Sequence, residues 1–126
     1  MTDALRSVAV VGASADRSKF GNKAVRAYQR QGWIVYPVNP RGGEIEGLRT
    51  YRSLDELPEP PDRVALYLPP EIGMQVLPEI AMVNPAELFV NPGAESAELL
   101  EQASAMGLNV IFACAIMDIG QSPDAL

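Results

Sequence analysis

The sequence predicts an α/β fold, a doubly wound parallel sheet with helices on both faces, and three observations predict it. Strand-like and helix-like segments alternate along the whole chain. The strand segments are short, continuous apolar runs, as in strands buried on both faces. The first four of these runs close on glycine, proline or Asn-Pro, the residues that end strands and open loops.

The first strand is Ser7-Val8-Ala9-Val10-Val11-Gly12, a β-branched run closed by glycine. A polar loop leads to a helix expected from Asn22 to Gln31, with Ala24, Val25 and Tyr28 on one side and Gly32 as its stop. Trp33-Ile34-Val35-Tyr36-Pro37-Val38 is the second strand, and Pro37 implies weak or absent pairing on that N–H side. Residues 39–61 form a long connection containing Asn39-Pro40, Gly42-Gly43 and Glu59-Pro60-Pro61, with a helical turn from Leu54 to Leu57 capped by Ser53.

Arg63-Val64-Ala65-Leu66-Tyr67-Leu68 is the third strand, stopped by Pro69-Pro70. Glu71 to Val83 has helical apolar spacing at Ile72, Val76, Ile80 and Val83. Pro78 inside it predicts a kink or two short helices. Glu87-Leu88-Phe89-Val90 is the fourth strand, ending at Asn91-Pro92-Gly93, and Ser96 to Met106 is a helix with Gly107 past its end. Leu108 to Phe112 is the fifth strand, and the tail from Ile119 to Leu126 has little core potential and is expected to fray.

Right-handed crossovers then give a Rossmann-like five-stranded parallel sheet, for which the order 3-2-1-4-5 is expected. With 126 residues, one domain spanning 1–126 is expected. A net charge of −6 argues against general affinity for nucleic acid. A single cysteine, Cys114, permits no intrachain disulfide. No histidine is available as metal ligand or general base. The start, Met1 to Arg6, is too polar for a signal peptide, and no apolar run approaches the roughly 20 residues that span a bilayer. The expectation is a soluble cytoplasmic protein.

In such a sheet a ligand lies at the carboxyl ends of the strands where the strand order reverses. For the expected order that point falls between the first and fourth strands, at Gly12-Ala13-Ser14 and at Asn91-Pro92-Gly93-Ala94. The loop from Gly12 to Gly21 matches neither the G-x-G-x-x-G fingerprint nor the G-x-x-x-x-G-K-[ST] phosphate loop. Gly12 permits close backbone approach, Ser14 offers a hydroxyl, and Lys19 or Arg17 offers charge. The competing account is a plain strand-to-helix turn with solvated cations. An NAD site usually carries an acid at the end of the second strand; here Asn39-Pro40-Arg41 stands there. Arginine suits a phosphorylated ribose, as in NADP or coenzyme A, although an idle surface cation is the alternative. Leu68-Pro69-Pro70 would wall an adenine or simply end the third strand.

Together these segments resemble the small CoA-binding domain family, whose fold is similar to the N-terminal domain of the succinyl-CoA synthetase α-subunit. The matching pieces are Val10-Val11-Gly12-Ala13-Ser14, Lys19-Phe20-Gly21, Val35 to Pro40 with Glu44 to Gly47, Tyr51 to Leu54, and Asn91 to Glu95. The resemblance implies a stand-alone binder of coenzyme A or acyl-CoA, a sensor or carrier without established catalysis. It places Gly12, Ala13, Ser14 and Lys19 at the pyrophosphate, and Asn39, Pro40 and Arg41 at the ribose phosphate. It puts Leu68, Pro69 and Pro70 beside the adenine and Asn91, Pro92 and Gly93 along the pantetheine arm. Family members carry an Arg-Cys pair after the fifth strand, followed by acidic and histidine residues. This chain has Ala113-Cys114-Ala115-Ile116-Met117-Asp118 instead.

Cys114 lies where a pantetheine thiol would arrive, so a mixed disulfide with that thiol stands against the commoner role of a buried structural thiol. Asp16, Glu71, Glu95 and Asp118 also fall near strand ends, where helix capping is their usual work. Two further functions stay open at this stage: an NADP-binding oxidoreductase-like domain, and an accessory subunit of an acyl-CoA ligase. A homodimer is expected only because cyclic dimers are the commonest oligomers.

Overall fold

The computed structural model describes residues 6–126. Five parallel strands form the main sheet: β1 (Ser7–Val11), β2 (Ile34–Val38), β5 (Arg63–Leu66), β6 (Glu87–Val90) and β7 (Val110–Phe112). A short antiparallel hairpin, β3 (Glu44–Ile45) and β4 (Leu48–Arg49), interrupts the connection after β2. The helices are α1 (Phe20–Arg30), α2 (Pro70–Val83), α3 (Ala97–Ala105) and α4 (Ala115–Asp118). Single 3₁₀ turns lie at Leu54–Glu56 and Pro123–Ala125.

Successive strand residues point to opposite faces, so the sheet feeds two cores. Val8, Val10, Val35, Ala65 and Phe89 pack with α1 and α4 on one face. Ala9, Val11, Tyr36, Val64, Leu66, Leu88 and Val90 pack with α2 and α3 on the other. This is the three-layer arrangement that the buried apolar runs predict.

The strand order differs from the expected one. It is β2-β1-β5-β6-β7, which in strands of the main sheet alone reads 2-1-3-4-5 rather than 3-2-1-4-5. The reason is at Pro37. Its carbonyl accepts from the Tyr51 N–H at 2.9 Å, so its main chain faces away from β1. A strand placed outside β2 would meet proline's missing donor there, which makes β2 an edge. Among the described residues, that edge pairs with an isolated bridge from Val38 to Tyr51. The third strand of the main sheet, β5, is buried at every residue and instead takes the other side of β1.

Three local expectations also change. Residues 70–83 form one helix rather than two, with Pro78 exposed on its outer face, where water can serve the carbonyl that its missing N–H leaves unpaired. Ser53 does not cap the turn at Leu54, because its hydroxyl bonds Asp55. The tail is held rather than frayed: Ile119 and Leu126 pack on the α1 face, and Lys23 Nζ donates to the Pro123 carbonyl at 3.1 Å. By contrast, Ser96 caps α3 through a bond from the Leu99 N–H at 3.0 Å, and Gly107 leaves α3 with φ +81.

Candidate functional site

With β5 beside β1, the order reverses between those two strands, not between the first and fourth strands of the sheet. The loops that face one another there are Gly12-Ala13-Ser14 and Tyr67-Leu68-Pro69. Above them lies a cleft of about 1250 Å³ that runs across the carboxyl ends of the strands. Of the residues singled out by sequence, Gly12, Ala13, Ser14, Lys19, Gly21, Asn39, Pro40, Arg41, Leu68, Pro69, Asn91, Pro92, Gly93 and Cys114 all line it. Pro70 does not; it is the first residue of α2, where proline's fixed φ suits a helix start.

Glycine is required at two of these positions by contact. Gly12 has φ +96, and a Cβ there would stand 2.9 Å from the Tyr67 carbonyl carbon and oxygen. At Gly21 a Cβ would meet the Gly12 carbonyl oxygen at 2.2 Å. The end of β1 is thus pressed between the end of β5 and the start of α1, which brings bare backbone to the cleft floor.

The donors of this loop divide into two sets. The N–H groups of Gly12 and Ala13 both donate to the Val38 carbonyl, at 3.1 and 3.2 Å, so these residues form wall rather than anion contacts. The N–H groups of Ser14 and Ala15 have no partner among the described residues. Lys19 at the N-cap of α1 supplies no side-chain cap, and the N–H groups of Phe20 and Gly21, two residues that line the cleft, also have no partner among the described residues. Asp16 shapes the loop by accepting from the Ser18 hydroxyl at 2.7 Å and its N–H at 3.0 Å. These bonds, aided by Lys19, hold its carboxyl below the usual range.

Both asparagines are stitches. Asn39 donates to the Ala13 carbonyl at 2.8 Å and accepts from the Arg41 N–H at 2.8 Å. Asn91 is buried, donates to the Leu66 carbonyl at 2.9 Å and accepts from the Ala115 N–H at 2.8 Å. Their amides set the geometry of four strand ends, those of β1, β2, β5 and β6. The cations sort equally clearly. Lys19 and Arg41 are exposed on the cleft wall, whereas Arg17 lies outside it, 3.8 Å from Glu46.

A buried network behind the loop escaped the sequence analysis. Asn22 donates to the Ser14 carbonyl at 2.9 Å and to Glu46 of the β3–β4 turn at 3.1 Å. Arg26 donates to Asn22 Oδ1 at 2.7 Å and to the Arg17 carbonyl at 2.8 Å. Polar residues inside an amphipathic helix are usually surface residues, so only the hairpin position of Glu46 reveals their work. Tyr67 was also missed. Its hydroxyl is buried without a partner among the described residues, and burial, then Cys114 and Tyr28, pushes its pKa well up. Cys114 itself is half-buried and lines the cleft.

The family model for the CoA binding domain matches residues 6–119, a span that contains every loop lining the cleft up to Met117. The chain belongs to the CoA-binding domain family. It is 32% identical over 117 residues to the α subunit of an ADP-forming acetate–CoA ligase (II) of Pyrococcus furiosus, covering 84% of this chain and 26% of that subunit. The chain therefore spans about a quarter of the length of that relative.

Two solved structures extend the comparison. A conserved hypothetical protein of Pyrococcus furiosus aligns with TM-score 0.80 and 35% identity, covering 90% of this chain and 99% of that one. A dinucleotide-forming acetyl-coenzyme A synthetase of Candidatus Korarchaeum cryptofilum aligns with TM-score 0.73 and 27% identity, covering 85% of this chain and 26% of that one. This CoA-binding domain therefore shares its fold with a protein of nearly its own length and with part of a larger synthetase.

Proposed function

We propose that this chain binds coenzyme A or an acyl-CoA in the strand-end cleft and acts as a sensor or carrier in the cytoplasm, without chemistry of its own. The observation that carries the proposal is the coincidence of the family match with the cleft, since the matched residues 6–119 include the Gly12 loop, Arg41 and the Asn91 loop that line it. The free N–H groups at Ser14, Ala15 and the start of α1 suit a pyrophosphate, and Arg41 suits a phosphorylated ribose. The chain has no histidine to serve as a general base or as a phosphoryl carrier.

Calorimetric titration with CoA, NADP and NAD tests the ligand. CoA should bind most tightly, and tighter binding of NADP would replace this proposal with the oxidoreductase-like one. A second function, accessory subunit of an acyl-CoA ligase, is favoured by the 32% identity to a ligase α subunit. It predicts that the protein isolated from its own cells travels with a partner of ligase type and that CoA-dependent ligase activity appears only in that complex.

A further inference from the structure

Resting on the coenzyme A proposal, we infer that the bound form is a thioester with an apolar acyl group, seated against Met117 and Phe20. The cleft changes chemistry along its length. At the β2 end stand Asn39 and the exposed cation Arg41. At the other end Cys114 opens α4, and the next residue, Ala115, is bonded to Asn91 at the end of β6. From β2 to β6 is three strand spacings, about 14 Å. A cofactor with its ribose phosphate at Arg41, laid across the strand ends, thus brings its thiol end to α4.

The wall at that end is apolar and uncovered. Met117 of α4 is 65% exposed and Phe20 of α1 is 55% exposed, and both line the cleft. α1 and α4 are joined by Tyr28, whose hydroxyl donates to the Ala115 carbonyl at 2.8 Å, while Lys23, 5.4 Å from the Phe20 ring centroid, holds the turn after α4 through the Pro123 carbonyl at 3.1 Å. A thiol leaves this wall wet, whereas an acyl chain covers it and gains from the burial. Methionine's flexible thioether lets the wall adapt to chains of different shape.

Titration of the whole chain with CoA, acetyl-CoA and hexanoyl-CoA tests the inference. Hexanoyl-CoA should bind about tenfold more tightly than CoA, with acetyl-CoA between them. Met117→Ser and Phe20→Ser should each narrow the ratio of hexanoyl-CoA to CoA affinity. Equal affinities for the three ligands, or a ratio unmoved by both substitutions, would overturn the acyl site while leaving the CoA proposal standing. Failure of all three to bind would overturn the CoA proposal and this inference with it.

Discussion

Arg26 and Asn22, one helical turn apart in α1, form a buried pair in which the guanidinium donates to the amide oxygen at 2.7 Å. Through the amide's other end, Asn22 holds the Ser14 carbonyl, and through its second branch Arg26 holds the Arg17 carbonyl. The two side chains therefore pin both halves of the loop in which the Ser14 and Ala15 N–H groups are left without a partner among the described residues. No carboxylate lies within ion-pair distance of Arg26 among the described residues, so its charge depends on these oxygens. Asn22→Ala removes one acceptor from a buried cation and should destabilise the fold by about 1–3 kcal/mol. Thermal unfolding reads the loss, and titration should show weaker CoA binding as the loop loosens.

Gly12→Ala combines a backbone conformation unfavourable to side chains with a clash against the Tyr67 carbonyl. The left-handed conformation alone costs about 1–3 kcal/mol. The clash forces β1 and β5 apart at the cleft floor. Lower stability in denaturant titration and loss of CoA binding are both expected. Wild-type affinity in this variant would place the ligand elsewhere.

Arg41 is tested by a pair of ligands. If its guanidinium meets the 3′-phosphate, Arg41→Ala should weaken CoA binding by about tenfold, the loss of a charge-assisted hydrogen bond worth about 1.5 kcal/mol. Dephospho-CoA, which lacks that phosphate, should bind both proteins alike. Equal losses for the two ligands would remove the assignment.

Acid stability is governed at the opposite end of the sheet. Partial burial pushes the Glu87 carboxyl up, but bonds from Arg63 and Arg6 outweigh it and hold its pKa below 4.5. The bonds run at 3.0 Å from Arg63 Nε and 2.6 Å from Arg6. A depressed folded pKa stabilises the fold above the unfolded value, and that contribution disappears as pH falls through the folded one. Glu87→Gln should therefore lower stability at neutral pH and leave a flatter decline on acidification. Unfolding curves between neutrality and strong acid measure both effects.

The sequence carried the strand–helix alternation, both faces of the sheet and the Gly12, Asn39, Leu68 and Asn91 loops that frame the cleft, because each rests on local apolar runs and turn residues. The strand order was also written there, at Pro37, but reading it required setting a missing N–H above the commoner Rossmann order. The β3–β4 hairpin stayed hidden because two-residue strands have no periodicity to detect. The Ser14, Arg17 and Glu46 partners of Asn22 and Arg26 stand 8 to 24 residues away, and Tyr67 is set apart by burial alone, none of which a local pattern encodes. Lys19 and Arg17 look equivalent in sequence, and only the position of Glu46 beside Arg17 separates them.

Cys114 gives the cleft a chemical reporter. Its thiol lines the same cavity as Gly12 and Arg41 and is half-buried, so a small alkylating agent can reach it while the cleft is open. A bound cofactor whose pantetheine arm passes the ends of β5 and β6 would shield it. Saturating CoA should slow alkylation of Cys114 by iodoacetamide in proportion to occupancy, read by mass spectrometry of the intact chain. Adenosine 3′,5′-bisphosphate, which keeps the phosphorylated ribose but lacks the arm, should leave the rate near that of the free protein. Protection by both ligands would instead indicate a change of the whole cleft on binding, and protection by neither would direct the arm away from α4.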